Sequence, residues 1–175
     1  MDDEASSSEP PPPEDEPGRE RGASIEILDP DLRLPPAVRA ALAGIVADAA
    51  RVLGATGEAR VRLVTDAEMS AAHERYAGVP GTTDVLTFDL SGGGAGAALD
   101  ADVLVCVDEG ERQARRLGHP IEHELALYVV HALLHCLGHD DTEQAGAARM
   151  HAEEDRVLIA AGVGPVYAAG GRRAG

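Results

Sequence analysis

The chain has 175 residues, 44% of them hydrophobic and 26% charged, with 15 basic residues against 31 acids and a formal charge of −16. That length suits one soluble domain with a tail, and two cysteines (Cys106, Cys136) with no apolar run longer than Leu125–Val130 exclude a disulfide-stapled scaffold and a membrane span of ~20 residues. The acidic balance opposes nonspecific binding to phosphate backbones, and four aromatic residues are too few for a base-stacking platform, so any nucleic-acid chemistry needs a local cationic site.

Residues 1–22 carry eight acids against two arginines and include Pro10–Pro13. Such a segment has too little apolar surface to offset its ordering entropy, so a disordered acidic tail is expected, followed by one folded domain over 23–163 and a flexible tail over 164–175. The acidic start also lacks the basic region of a signal peptide, and a reducing cytoplasm is the expected setting.

Within the domain the period of the apolar residues alternates. Ser24–Leu28 predicts a short strand. Pro35 and Pro36 open a helix with Val38, Leu42, Ile45, Ala49 and Val52 on one stripe and Gly54 as its stop. Ala59–Val64 alternates as a strand. Thr65-Asp66-Ala67-Glu68 has the form of a capping box and starts a helix reaching Tyr76. After a turn over Gly78–Thr83, Asp84–Phe88 predicts a strand and Ser91–Gly96 a flexible loop. Ala101–Val107 predicts a buried strand, Asp108–Gly118 a helix, Pro120–Leu137 a longer helix closed by Gly138, and Thr142–Ala161 the last helix. The expected fold class is α/β (α+β), a single domain with a mixed sheet of about four strands and four or five helices.

His131 and His135 stand four residues apart on the longer helix, so both rings leave one face at a spacing that can hold one metal ion. Counting from His131, Gly138 falls at +7, where it lets the chain turn back, and Asp141 at +10, where a third ligand would stand. Two imidazoles and a carboxylate leave a zinc ion one open position, as a catalytic metal requires. Two roles compete for Asp141, third ligand or N-cap of the final helix, and His139 is the alternative third ligand. Ala132 occupies the place where a zinc peptidase has its glutamate base, which disfavours that class. His73 could approach the site; His119, His123 and His151 read as surface or capping residues. Cys136 reads as core, and Arg112, Arg115 and Arg116 as a phosphate site or, more commonly, a solvated helix face.

Three segments resemble a known family, the YbeY endoribonucleases or ribosomal RNA maturation factors. His131-Ala132-Leu133-Leu134-His135-Cys136-Leu137-Gly138-His139-Asp140-Asp141 is similar to the family's His-Gly-x-Leu-His-Leu-x-Gly-Tyr-Asp-His. Thr82-Thr83-Asp84-Val85-Leu86-Thr87-Phe88 resembles its Pro-Thr-Asp-Val-Leu-Ser-Phe, and Ala101-Asp102-Val103 its Gly-Asp-Ile strand. The resemblance implies an enzyme with one zinc ion per chain that cuts single-stranded RNA. It further implies action at the 3′ end of small-subunit ribosomal RNA and in ribosome quality control, with the ribosome or its small subunit as partner and neither DNA nor membrane. Asp141 replaces the family's third histidine and His139 its tyrosine. The family's functional arginine lies in an Asn-x-x-Tyr-Arg run; the ungapped alignment brings Tyr76 to that place with Arg75 beside it, and Arg75 is the candidate.

Overall fold

A computed structural model describes residues 22–92 and 97–166. The acidic N-terminal segment up to residue 21, most of the expected C-terminal tail and residues 93–96 of the expected loop lie outside the described residues. Four strands and five helices follow in the order β1 (Ser24–Leu28), α1 (Pro36–Val52), β2 (Gly57–Val64), α2 (Asp66–Ala77), β3 (Val85–Asp89), β4 (Leu99–Cys106), α3 (Val107–Leu117), α4 (Ile121–Cys136) and α5 (Gln144–Ala160). The sheet runs β1-β2-β4-β3, with β1, β2 and β4 parallel and β3 antiparallel to β4 at an edge.

The pleat sorts the strands into two faces. Ala59, Val61 and Leu63 of β2 and Ala101, Val103 and Val105 of β4 are all buried and meet the layer built by α1, α4 and α5. The register pairs Val85, Thr87 and Asp89 of β3 with Val105, Val103 and Ala101, so those three share the α4 face. Leu86 and Leu104 lie on the other face, where they join Val64, Met69 and Cys106 in a small cluster under α2.

Local chemistry explains the helix starts. The Thr65 side chain accepts the Glu68 N–H while the Glu68 carboxylate accepts the Thr65 N–H, the reciprocal box expected from the sequence. Pro36 opens α1 with its fixed φ and no N–H to strand. α4 is the central helix: Glu124–Val130 and Ala132–Leu134 are all buried, and the half-exposed side that remains carries His131 and His135.

Three element starts lie two residues from the sequence reading, among them that of β4, at Leu99 rather than Ala101. β2 begins at Gly57 rather than Ala59 because Gly57 and Glu58 extend the ladder against Leu99 and Asp100. α5 begins at Gln144 rather than Thr142, because the Asp140 carboxylate accepts both the N–H and the hydroxyl of Thr142 and holds it in a turn.

Candidate metal centre

The end of α4 builds the site. Leu137 is the C-cap and Gly138 follows at φ +92°, a conformation that suits glycine. The Gly138 N–H donates to the His135 carbonyl and the His139 N–H to the Leu134 carbonyl, both at 3.0 Å, which is the Schellman pairing. This turn folds the chain back over its own last helical turn and has two consequences. It delivers the Asp141 carboxylate to the histidines, and it sets the His139 carbonyl where His135 Nδ1 donates to it at 3.1 Å.

His131 is oriented from a different element. Its Nδ1 donates to Oε1 of Glu154, a fully buried residue of α5, at 2.7 Å. With both Nδ1 atoms engaged, both Nε2 atoms turn to the same point and stand 3.1 Å apart. Asp141 completes the group, with Oδ1 3.6 Å from His135 Nε2 and Oδ2 3.9 Å from His131 Nε2. Ligand atoms of the three residues all lie within 4.8 Å of one another.

The donor set fits a metal ion. A proton on each Nδ1 leaves a lone pair on each Nε2, and two lone pairs facing at 3.1 Å repel unless a cation or a proton lies between them. Two nitrogens each about 2.0–2.1 Å from one tetrahedral ion stand roughly 3.4 Å apart, close to what is found. Burial pulls the pKa of His131 down, but the Glu154 hydrogen bond and the charges of Glu154, Asp141 and Asp84 outweigh it, so the net direction is upward.

A cleft of about 370 Å³ opens onto the histidines, lined by Val85, Leu86, Thr87 and Asp89 of the edge strand and by His131, His135 and Cys136. Cys136 therefore lines the cleft as well as touching the core, more exposed than the sequence suggested. Asp141 does not cap α5, whose N-cap is Glu143 with no side-chain cap bond. The His139 ring is not in the group; its carbonyl is the part that meets His135, at Nδ1.

The other sequence candidates fall elsewhere. Arg75 lies outside the group, its guanidinium 5.4 Å from the centroid of the Tyr76 ring, which meets Phe88 edge-on at 5.0 Å. His73 Nδ1 engages the Gly81 carbonyl at 3.0 Å, and His119 lies 3.1 Å from the buried Glu124 carboxylate. Arg112 bonds Asp66 and Glu109 and is a structural tie. Glu154 is not among the sequence candidates, since it stands within the acidic run Glu153-Glu154-Asp155 and far in sequence from the histidines. The legible clue is that Glu154 falls on the buried stripe Met150, Val157, Leu158, an acid on an apolar face.

Fold and site together define a single-domain α/β protein whose central helix presents a histidine–histidine–carboxylate group able to hold a metal ion. The profile described as endoribonuclease YbeY matches residues 33–162, and the chain belongs to that family. Endoribonuclease YbeY of Moorella thermoacetica is 40% identical over 127 residues, 66% of this chain and 80% of the relative. The Corynebacterium efficiens protein of the same name is 33% identical, over 58% of this chain and 56% of its own length. The solution structure of TM1509 from Thermotoga maritima shares the fold, with a TM-score of 0.53 and 26% identity over 78% of this chain and 88% of that one.

Proposed function

We propose that this protein is a zinc-dependent, single-strand-specific endoribonuclease that acts in the cytoplasm on ribosomal RNA, at the 3′ end of the small-subunit species, and in ribosome quality control. The observation that carries the reading is the convergence of His131 Nε2, His135 Nε2 and the Asp141 carboxylate at the β3 cleft. Relatives named endoribonuclease YbeY supply the reaction class.

His131, His135 and Asp141 would hold one zinc ion. When bound, such an ion lowers the pKa of a water or polarises a phosphoryl oxygen. The protein's own part is to present the two Nε2 lone pairs without reorganisation and to shape the substrate's path. The cleft wall is an edge strand with Thr87 and Asp89 on the side of the histidines, and an extended single strand would run along that open border. Arg75 is assigned to a phosphate. Its fork can take two oxygens, and its contacts through Tyr76 to Phe88 put it on the side of β3 turned away from the histidines, so it would meet a phosphate beyond the strand edge rather than inside the cleft. Among the described residues no helix is long and apolar enough to cross a membrane.

A labelled RNA supplied single-stranded and as a duplex tests the reading. Cleavage of the single strand alone is expected, and equal cleavage of the duplex would contradict it. A second reading, a metal-stabilised ribosome-assembly factor with little nuclease activity, is favoured by the arginines' own pairing. Arg60 bonds Glu58, Asp100 and Asp102, and Arg112 bonds Asp66 and Glu109, which spends cationic surface inside the chain. A stoichiometric complex with the small subunit and no cut RNA would establish that alternative.

A further inference from the structure

Glu154 is fully buried on α5, where an ionised carboxylate is costly unless paired. Its Oε1 accepts the His131 Nδ1–H at 2.7 Å, and its Oε2, also buried, has no hydrogen-bond partner among the described residues. The neighbours on its stripe, Met150, Val157 and Leu158, are buried and apolar. A well-packed hydrophobic residue in such a place is commonly as stable as a buried ion pair or more so, so packing alone does not account for an acid here.

The two histidines of the site are held unequally. His135 donates its Nδ1 proton to a neutral carbonyl at 3.1 Å, whereas His131 donates to a carboxylate at 2.7 Å. A carboxylate behind a ligating imidazole fixes the tautomer and ring angle and makes the far nitrogen a stronger donor.

We infer that Glu154 is a positioning residue of the metal centre: it keeps the His131 proton on Nδ1 and aims Nε2, strengthened as a ligand, at the point shared with His135 and Asp141. The inference rests on the metal-centre reading above. It makes α5, which contributes no ligand, the backing of the site, and it assigns the cost of the orphaned Oε2 to metal binding rather than to stability.

The test uses the full chain with Zn²⁺ itself. Competition with a chromophoric chelator should show Glu154→Gln, which keeps the shape and removes the charge, binding zinc about 10–100-fold more weakly. Glu154→Asp, which keeps the charge and shortens the reach, should recover part of that loss. Nitrogen NMR of the zinc-loaded wild type should show His131 bound through Nε2 with its proton on Nδ1. That spectrum decides the matter by itself if the glutamine variant fails to fold. Coordination through Nδ1, or a glutamine variant that binds zinc as tightly as the wild type, would overturn the positioning role and leave the metal centre standing. A wild type that takes up no zinc would overturn both.

Discussion

The carbonyl of Asp140 lies so close over Gly146 that a Cβ at residue 146 would stand 2.3 Å from its oxygen. Asp141 follows directly, so the backbone carrying the one carboxylate of the site is seated on α5. The obstacle to any larger side chain is main chain and cannot rotate away. Gly146→Ala should therefore displace the loop, cost about 1–3 kcal/mol in denaturant unfolding, and weaken zinc binding by about tenfold or more. An alanine variant with wild-type zinc affinity would show that the loop's seat is immaterial to the site.

Asp141 is half-exposed and makes no close hydrogen bond to either histidine, so removing it should spare the fold. Asp141→Ala is expected to unfold within about 0.5 kcal/mol of the wild type while losing zinc affinity by more than about 100-fold, beyond what an outer partner costs. Asp141→His should retain zinc, since imidazole is an equally good ligand. Chelator competition on the three proteins checks both statements.

Asp66 at the start of α2 accepts two nitrogens of Arg112 on α3 at 2.5 and 2.8 Å and the Cys106 thiol at 3.1 Å. These partners, Arg112 foremost, hold its pKa down to about 2 from 3.8. A depressed folded-state pKa stabilises fully above 3.8 and loses that contribution as the pH falls to about 2. Both side chains are substantially exposed, so screening limits the pair to about 0.5–1 kcal/mol. Urea unfolding of Arg112→Ala should show that deficit near neutral pH, with the gap to wild type closing between pH 3.8 and 2.

The two thiols should separate cleanly. Burial, with the Asp66 carboxylate adding to it, pushes Cys106 up to about 11, and the residue is inaccessible; Cys136 is also raised by burial but borders the open cleft. Alkylation of the folded protein at neutral pH should mark Cys136 first and reach Cys106 only after denaturation, as read by peptide mass spectrometry. Equal marking of both would contradict the packing under α2.

The sequence was informative where the physics is local. The Thr65–Glu68 box, the proline starts, the i, i+4 histidines and the glycine that closes α4 each depend on neighbours within about one helical turn, and each is found in the structure. The antiparallel insertion of β3 beside β4 was not legible, because strand order is set by packing between distant segments. Glu154 lies 23 residues from His131, and Gly146 looks like an ordinary helical residue until Asp140 is laid across it. Arg75 follows from the resemblance alone, and the edge-on meeting of its neighbour Tyr76 with Phe88 depends on tertiary placement that no spacing reveals.

The most direct measurement takes zinc content and cleavage of a labelled single-stranded RNA on the same preparations of wild type and His135→Ala, with circular dichroism confirming that both are folded. One zinc per chain and cut RNA are expected from the wild type, and neither from the variant. A folded, zinc-free His135→Ala protein that cuts RNA as fast as the wild type would contradict a metal centre built on His131, His135 and Asp141.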